Sequence, residues 1–215
     1  ISPDLLLIVG DRFEAHAAAV AALPLNIPVA HIHGGEVTKG TLDDSLRHSI
    51  TKLSHLHFVS TDQYRERVLQ LGEEPWRVKV TGAPSLDKIN RDELISRETL
   101  QSRLDIPLSI APMLATFHPV TVGSPNIKWQ VDELLKAISK MHLPVIFTQS
   151  NSDPGGHIIN DALRDYASGH SDAWFLPNLG SKYYFSLMAL ASVMVGNSSS
   201  GIIEAASFGL PVVNI

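Results

Sequence analysis

The sequence predicts an α/β fold that is built from parallel sheets and divided into two units. Short apolar segments alternate with longer segments of helical periodicity along the chain of 215 residues. Strands that alternate with helices are typical of right-handed βαβ units and parallel sheets. A more polar and charged stretch separates two such series, so we expect a linker at residues 91–109 between units at residues 1–90 and 110–215.

Nine apolar segments are predicted to be strands. The first of them, residues 5–9, is continuously apolar and is followed by Gly10. Continuous apolarity, in place of alternation, predicts a strand that is buried on both faces of its sheet. In chain order the predicted strands are residues 5–9, 28–32, 56–60, 78–81, 113–117, 144–148, 173–176, 193–195 and 212–215.

Seven segments between these strands are predicted to be helices. The first is rich in alanine and ends before Pro24. In the second, Thr41 and Asp44 have the spacing of a capping box, which favours a helix start at this point. The predicted helices are residues 12–24, 41–53, 62–71, 127–141, 157–168, 181–191 and 202–209.

Composition and charge exclude several classes of protein. The chain is 44% hydrophobic, which is too apolar for a disordered protein, and it contains no apolar run long enough to span a membrane. Its formal net charge is 17 − 22 = −5, whereas general nucleic-acid binders are normally basic. It contains no cysteine, which fits a reducing, cytoplasmic location. Because the chain starts and stops at predicted strands, we expect it to be truncated at both ends.

Candidate functional residues lie directly after the predicted strands. In open α/β sheets, ligands bind outside the carboxyl ends of the strands. In two facing domains, these positions would line one cleft. The residues at these positions are Asp11, His33 to Glu36, Thr81 to Ala83, His118, Asn151 and Asn197 to Ser200.

The strongest local signal is the serine-rich segment at residues 196–201, GNSSSG, before a predicted helix. Glycine lets the backbone approach a ligand closely, and a helix N-terminus presents N–H groups with a partial positive charge. Both features favour a phosphate site, although simple N-capping by serine is the alternative. The segment matches neither a Walker loop nor the pattern G-x-G-x-x-G, so a dinucleotide has little support.

Several charged and imidazole side chains of the first unit have both a structural and a chemical interpretation. Asp11 either takes part in chemistry or caps the first predicted helix. His31 and His33 place two imidazoles on one side of a strand, with Glu36 in the next turn. Metal binding is conceivable, but two histidines without a third defined ligand are more often structural, so we predict no metal.

Two further candidates have equally simple local explanations. Asp43 and Asp44 begin a predicted helix, where the helix dipole stabilises carboxylates, and they lie four residues before Arg47 and His48. His118 is either an ordinary strand-end residue or a donor to a phosphate.

Six segments of the chain match the pattern of a known family. They are residues 10–14 (GDRFE), 31–36 (HIHGGE), 40–53 (GTLDDSLRHSITKL), 82–87 (GAPSLD), 117–121 (FHPVT) and 196–204 (GNSSSGIIE). Together they resemble the UDP-N-acetylglucosamine 2-epimerase family, and within it the hydrolysing branch that serves the synthesis of sialic-acid-type and legionaminic-acid-type sugars. The resemblance covers essentially the whole chain.

The resemblance implies two Rossmann-like domains facing a cleft, in the arrangement of the glycosyltransferase-B type. It implies removal of a proton from carbon 2 of a UDP-sugar, elimination of UDP to leave a glycal, and addition of water. The substrate would be UDP-N-acetylglucosamine or a 2,4-diacetamido relative, with no cofactor, and analogy suggests a homodimer or higher homo-oligomer. The alternatives are a non-hydrolysing epimerase, a glycosyltransferase of the same fold and a non-catalytic UDP-sugar-binding fragment.

The resemblance also implies roles for individual residues. Asp11 and Asp43 match catalytic carboxylates, whereas His33 stands where the family has a third carboxylate. Three readings follow: His33 is the base, Glu36 substitutes for the missing carboxylate, or the sugar differs from N-acetylglucosamine. The residues that match UDP-binding positions are His118, Asn151, Ser198, Ser199 and Glu204.

Overall fold

The structure, a computed structural model, describes residues 3–39, 41–120 and 126–215. Gly40 and Thr121, which belong to two of the six matching segments, lie outside the described residues. The chain divides into two compact units, Ile1–Pro84 and Ser85–Ile215. Both are α/β units whose strands all pair in parallel, so the fold class is confirmed.

The first unit contains a four-stranded parallel sheet in the order β1-β2-β3-β4. Its strands are β1 (Leu6–Val9), β2 (Val29–Ile32), β3 (Leu56–Val59) and β4 (Val78–Val80). Its helices are α1 (Phe13–Ala22), α2 (Asp43–Leu53) and α3 (Asp62–Gln70), with 3₁₀ turns at Leu23–Leu25 and Pro75–Arg77. The strands follow one another across the sheet, so their carboxyl ends lie side by side along one edge.

The second unit contains a five-stranded parallel sheet in the order β7-β6-β5-β8-β9. Its strands are β5 (Met113–Thr116), β6 (Val145–Thr148), β7 (Ala173–Leu176), β8 (Val193–Gly196) and β9 (Val212–Asn214). Its helices are α4 (Arg97–Leu104), α5 (Ile127–Ser139), α6 (Gly156–Gly169), α7 (Gly180–Leu190) and α8 (Ser200–Ile203), with 3₁₀ turns at Leu86–Lys88, Arg91–Glu93 and Ala205–Phe208. The strand order reverses between β5 and β8, which makes their carboxyl ends a topological switch point.

Both faces of the second sheet are packed against helices. Adjacent side chains of a strand point to opposite faces of the sheet, so neighbouring residues enter different clusters. Leu114 of β5 belongs to a buried cluster with Leu187 and Met188 of α7. Its neighbour Met113 belongs to a second buried cluster with Val131 of α5. This two-sided burial fixes the sheet and therefore the positions of the loops at its carboxyl edge.

The polar segment at residues 91–109 belongs to the second unit, whereas the sequence suggested a linker between units. The Ser96 side chain caps α4 by accepting a hydrogen bond from the backbone N–H of Thr99. Leu100, Ile106 and Leu108 are fully buried in the cluster that contains Leu114. The segment is polar in sequence because α4 buries only Leu100, and the other two buried residues follow the helix.

Two local predictions in the first unit are wrong. Leu7 and Val9 of β1 are 55% and 58% exposed, so this strand is buried on one face only, at the edge of its sheet. The capping box is also absent. The N-cap of α2 is Leu42, the Thr41 hydroxyl donates to the Thr38 carbonyl, and Asp44 accepts from the Thr38 N–H. The chain before α2 folds back, so both polar side chains stabilise this turn by hydrogen bonds to the Thr38 backbone.

The remaining elements follow the predicted alternation, with small differences at their ends. The last predicted helix is divided into α8 and the 3₁₀ turn that follows it. In the described part of the chain, no helix combines the length and apolarity needed to cross a membrane.

Candidate functional site

Asp11 lies in the loop after β1 and pairs with a buried arginine of α2. Nη2 of Arg47 donates to the Asp11 carboxylate and also to the Thr38 hydroxyl at 2.8 Å. Nη1 of Arg47 donates to the Glu36 carbonyl at 2.9 Å. The N-cap of α1 is Arg12, so Asp11 does not occupy the capping position that was its alternative interpretation. The carboxylate is instead oriented by a partner distant in sequence.

His33, Glu36 and Ser60 form a hydrogen-bonded group at the carboxyl ends of β2 and β3. Nδ1 of His33 lies 2.6 Å from Oε1 of Glu36, and the Ser60 hydroxyl donates to the same oxygen at 2.9 Å. The hydrogen bond to Glu36 raises the pKa of His33 above its ordinary value, although burial opposes the rise. Burial favours a high pKa for Glu36, but hydrogen bonds from His33 and Ser60 hold that pKa below its usual range.

His31 has a different environment although it lies only two residues before His33. Its Nε2 donates to the Gly10 carbonyl at 2.9 Å, and its Nδ1 lies 3.3 Å from the Thr51 hydroxyl. Burial lowers the pKa of His31 to about 4, so the ring is neutral near pH 7. His31 therefore joins β1, β2 and α2, whereas His33 lies beyond β2 and contacts different groups. In the described ranges, no cluster of three or more His, Cys, Asp or Glu side chains could hold a metal ion.

Asp43 and Asp44 occupy the first turn of α2. Asp43 is half-buried and, four residues before Arg47, shares a helix face with it. Asp44 lies 3.6 Å from Nε2 of His48, as the spacing predicted, and also accepts a hydrogen bond of 3.4 Å from Nη1 of Arg47. The face of α2 that carries Arg47 therefore presents Asp43 near the carboxyl edge of the first sheet.

His118 and Asn197 meet at the switch point of the second sheet. The His118 N–H donates to Oδ1 of Asn197 at 2.7 Å, and Nδ2 of Asn197 donates to the His118 carbonyl at 2.9 Å. Nδ1 of His118 accepts from the backbone N–H of Asn151 at 3.1 Å, so its Nε2 carries the ring proton. Burial lowers the pKa of His118, and the charge of Asp153 opposes this shift. The lowered pKa favours a neutral ring that donates through Nε2.

The close packing of β5 and β8 at this point depends on a glycine. Gly196 has φ +138°, and a Cβ added to it would lie 1.7 Å from the Thr116 carbonyl oxygen. The following Ser198 side chain accepts a hydrogen bond from the Ser200 N–H at 3.3 Å, and Ser199 is the exposed N-cap of α8. The serine-rich segment therefore forms a tight turn directly after the switch point.

A cavity of about 330 Å³ lies beside this turn. Glu204 lines it and is 7% exposed, and its Oε2 has no hydrogen-bond partner among the described residues. Burial raises the pKa of Tyr184, which also lines the cavity, while hydrogen bonds with Ser200 and Thr116 oppose that shift. The volume lies within the range of small-molecule pockets, about 300–1,000 Å³. A buried carboxylate oxygen without a partner indicates a ligand that donates hydrogen bonds there.

Sequence reasoning did not identify Arg47, Ser60 or Tyr184 as functional residues. Ser60 directly follows β3, so the same strand-end rule that selected Asp11 and His118 could have found it. The spacing of Arg47 from Asp43 predicts only a local pair within α2, and no sequence signal indicates the contact of Arg47 with Asp11.

A family model described as UDP-N-acetylglucosamine 2-epimerase matches residues 1–215. The chain is 42% identical over 217 residues to the GDP/UDP-N,N'-diacetylbacillosamine 2-epimerase (hydrolyzing) of Campylobacter jejuni. It is 41% identical over 214 residues to the UDP-N,N'-diacetylbacillosamine 2-epimerase (hydrolyzing) of Legionella pneumophila. Both matches include 100% of this chain and 56% of the relative, so the chain spans little more than half of their length.

Solved structures have the same fold. The UDP-GlcNAc 2-epimerase from Neisseria meningitidis, bound to UDP-GlcNAc, matches with a TM-score of 0.78 at 22% identity over 99% of this chain and 59% of that chain. The UDP-GlcNAc 2-epimerase from Methanocaldococcus jannaschii, in complex with UDP-GlcNAc and UDP, matches with a TM-score of 0.78 at 18% identity. This match covers 99% of this chain and 60% of that chain. At these identities the likeness shows the fold alone.

Proposed function

The chain belongs to the UDP-N-acetylglucosamine 2-epimerase family, and from this we propose that it acts as a hydrolysing 2-epimerase of a UDP-linked acetamido sugar. The observation that carries the proposal is the group of proton-transfer side chains at the carboxyl edge of the first sheet. Asp11, His33 and Asp43 belong to loops or a helix start at that edge, and Asp11 and His33 have buried or half-buried partners. Such groups are what proton removal next to a carbon–oxygen bond requires.

The proposed reaction has two stages. In the first, a base removes the proton from carbon 2 and the bond between carbon 1 and the UDP oxygen breaks, which leaves a glycal and UDP. In the second, water adds to carbon 1 and a proton to carbon 2, which gives the free sugar with inverted configuration at carbon 2. The steps are proton transfers, one elimination and one addition of water, and we propose Asp11, Asp43 and either His33 or Glu36 as the groups that transfer the protons.

We propose that UDP binds at the carboxyl edge of the second sheet. Ser198 and Ser199 would donate to the diphosphate from the turn after β8, and His118 would donate through Nε2. Oε2 of Glu204, which has no hydrogen-bond partner in the described part of the chain, would accept from the ribose hydroxyls inside the cavity. Asn151, whose side chain is hydrogen-bonded to Asp153, would contact the nucleoside side of the ligand.

The names of the two relatives support a narrower substrate. Both specify diacetylbacillosamine, a sugar with acetamido groups at carbons 2 and 4. We therefore propose a UDP-2,4-diacetamido sugar as the substrate, in preference to UDP-N-acetylglucosamine, and a product that serves the synthesis of sialic-type or legionaminic-type sugars. We also propose a cytoplasmic location, where nucleotide sugars are made, and a homo-oligomeric assembly.

An NMR time course in deuterated water tests the function on the full chain. With UDP-N,N'-diacetylbacillosamine we expect free UDP and a free 2-epimeric sugar that carries deuterium at carbon 2. UDP-N-acetylglucosamine, run in parallel, should react more slowly. A deuterated product that remains attached to UDP would instead show a non-hydrolysing epimerase. Turnover only with an acceptor sugar would show a glycosyltransferase, and UDP binding without any product would show a binding protein.

A further inference from the structure

We propose that His33 is the group that removes the carbon 2 proton, through its Nε2, and that Glu36 and Ser60 are positioning residues that act through His33. This inference rests on the proposed function and concerns the division of roles within the first unit. The sequence leaves His33 and Glu36 as alternative bases. Here both belong to one hydrogen-bonded group, in which His33 is the base.

The hydrogen bonds determine which nitrogen of His33 is available. Glu36 is ionised and can only accept, so the 2.6 Å contact requires that Nδ1 of His33 carries the proton. In the neutral ring, Nε2 must then hold the lone pair, which is the form that a base needs. The His33 side chain is 17% exposed, which leaves part of the ring open to a ligand.

Glu36 is poorly placed to react itself. Its Oε1 accepts from His33 and from the Ser60 hydroxyl at 2.9 Å. Its backbone carbonyl accepts from the buried Arg47, which fixes the turn that carries it. A carboxylate with these contacts orients an imidazole, as in other sites where a buried acid holds a histidine in one tautomer.

The backbone of this turn is shaped to bring His33 and Glu36 together. His33 has φ +71°, a left-handed conformation that is uncommon for residues with a side chain. Gly35 has φ +79°, and a Cβ there would lie 2.3 Å from the Tyr64 carbonyl oxygen. The two left-handed residues turn the chain sharply after β2, so that a side chain three residues later reaches Nδ1 of His33.

The charged groups around His33 belong to several elements. Glu36 and Asp11 favour the protonated ring, whereas Arg47 of α2 disfavours it, and His31 of β2 is neutral near pH 7. The net effect is a raised pKa for His33, so the site holds a stronger base than an isolated imidazole. The same balance predicts that removal of the Glu36 charge lowers the basicity of the ring.

The proposed step balances in atoms and electrons. The proton on carbon 2 passes to the Nε2 lone pair, and the electron pair of the carbon–hydrogen bond becomes the second bond between carbons 1 and 2. The bond from carbon 1 to oxygen breaks, and its electron pair leaves with UDP. The imidazolium that forms is stabilised by Glu36, and it returns its proton to solvent after the glycal has reacted.

The experiment measures the pH dependence of kcat/KM with UDP-N,N'-diacetylbacillosamine in the full chain. The variants are Glu36→Gln, His33→Gln, the double variant and Ser60→Ala. Glu66→Gln is the matched control, because Glu66 is an exposed glutamate of α3. Urea unfolding and UDP binding identify any variant that fails to fold.

We expect the wild type to lose activity as the pH falls through the pKa of His33. Glu36→Gln should move this acidic limb of the pH profile to lower pH by about one unit. It should lower kcat about 100-fold and change KM less than about threefold. His33→Gln should remove the limb, and the double variant should be no slower than His33→Gln alone. Ser60→Ala should cost about tenfold, as expected for one hydrogen bond to an ionised carboxylate, and Glu66→Gln should behave as the wild type.

Two outcomes overturn the inference in different ways. If the wild type is active but Glu36→Gln slows it equally at every pH, and slows His33→Gln further, Glu36 does not act through His33 and the assignment of roles fails alone. If the wild type turns over no UDP-sugar although it binds UDP, the proposed function fails and this role fails with it.

Discussion

The guanidinium of Arg47 in α2 donates a hydrogen bond to the carboxylate of Asp11, which lies in the loop after β1. Arg47 is 3% exposed and also donates to the Glu36 carbonyl and the Thr38 hydroxyl. One buried cation therefore joins the loops after β1 and β2 to a helix. Because a buried charge is costly without its partners, the orientation of Asp11 and the stability of these loops depend on the same side chain.

Arg47→Lys should damage both stability and turnover. Lysine keeps the charge but lacks the planar fork of donors, so it cannot reach Asp11, Glu36 and Thr38 together. We expect the free energy of unfolding to fall by about 2–3 kcal/mol, as measured by urea denaturation. We also expect kcat to fall more than about tenfold because Asp11 loses its fixed orientation.

The matched control for this substitution is Arg164→Lys in α6. Arg164 donates to Asp161, both side chains are mostly exposed, and the Arg164 guanidinium lies 4.9 Å from the centre of the Phe175 ring. Exposed ion pairs contribute little and lysine keeps a cation near the ring, so the free energy of unfolding should change by less than about 1 kcal/mol. Equal effects of the two substitutions would show that the burial of Arg47 does not matter.

Asp11→Asn should abolish turnover and leave the affinity for UDP within a few-fold of the wild type. The amide keeps the shape of the side chain but can no longer accept a proton. The groups proposed to hold UDP belong to the second unit, whereas Asp11 belongs to the first. Calorimetric titration with UDP and a UDP-release assay measure the two quantities. A collapse of UDP binding together with stability would mean that Asp11 serves the structure only.

The alternation of strands and helices was predictable because apolar periodicity reports local structure directly. The order of strands was not, since alternation does not specify which strands pair. In the second sheet β5 lies in the centre, between β6 and β8, and this arrangement places His118 beside Asn197. The strand-end rule nevertheless selected both residues, because it needs only the end of each strand.

The partnerships within the site were less predictable than its members. Arg47 and Asp11 are 36 residues apart, and a nearby acidic residue in α2 already explained the arginine locally. The contact between His33 and Glu36 depends on left-handed backbone at His33, which proximity in sequence does not reveal. Side-chain chemistry could be read from the sequence, but orientation depended on packing and backbone conformation.

Glu204→Gln should weaken the binding of uridine and UDP by about tenfold. Among the described residues, the carboxylate oxygen Oε2 is buried without a hydrogen-bond partner beside the cavity. It would accept from a ribose hydroxyl, which a glutamine nitrogen cannot do. Calorimetry with uridine, UMP and pyrophosphate separates the contribution of the ribose to binding from that of the phosphates. The loss should appear with uridine and UMP, which both contain the ribose, and not with pyrophosphate.

Glu133→Gln is the control for this prediction, because Glu133 is an exposed residue of α5 that pairs with Lys136. Its uridine affinity should equal that of the wild type. If Glu204→Gln binds uridine as well as the control does, the ribose does not contact Glu204.

His31 should make the stability of the chain fall in mild acid. Its pKa is lowered by burial to about 4 in the folded state, compared with 6.5 in the unfolded chain, so below pH 6.5 the unfolded chain binds more protons. Stability should therefore decrease as the pH falls from about 6.5 to 4, by about 3 kcal/mol at most from this residue. Urea denaturation at a series of pH values measures the slope.

His31→Gln should reduce that slope only in part, because burial also lowers the pKa of His57 and of His118. The glutamine amide can still donate to the Gly10 carbonyl, the bond that Nε2 of His31 makes, but it does not titrate. His170→Gln, at an exposed histidine stacked on Tyr166, should leave the slope as it is. His33 acts in the opposite direction, because its raised pKa adds stability at low pH that is lost as the pH rises through that value. If the slope in His31→Gln is the same as in the parent chain, the acid sensitivity arises from other groups and the ring of His31 is not held neutral.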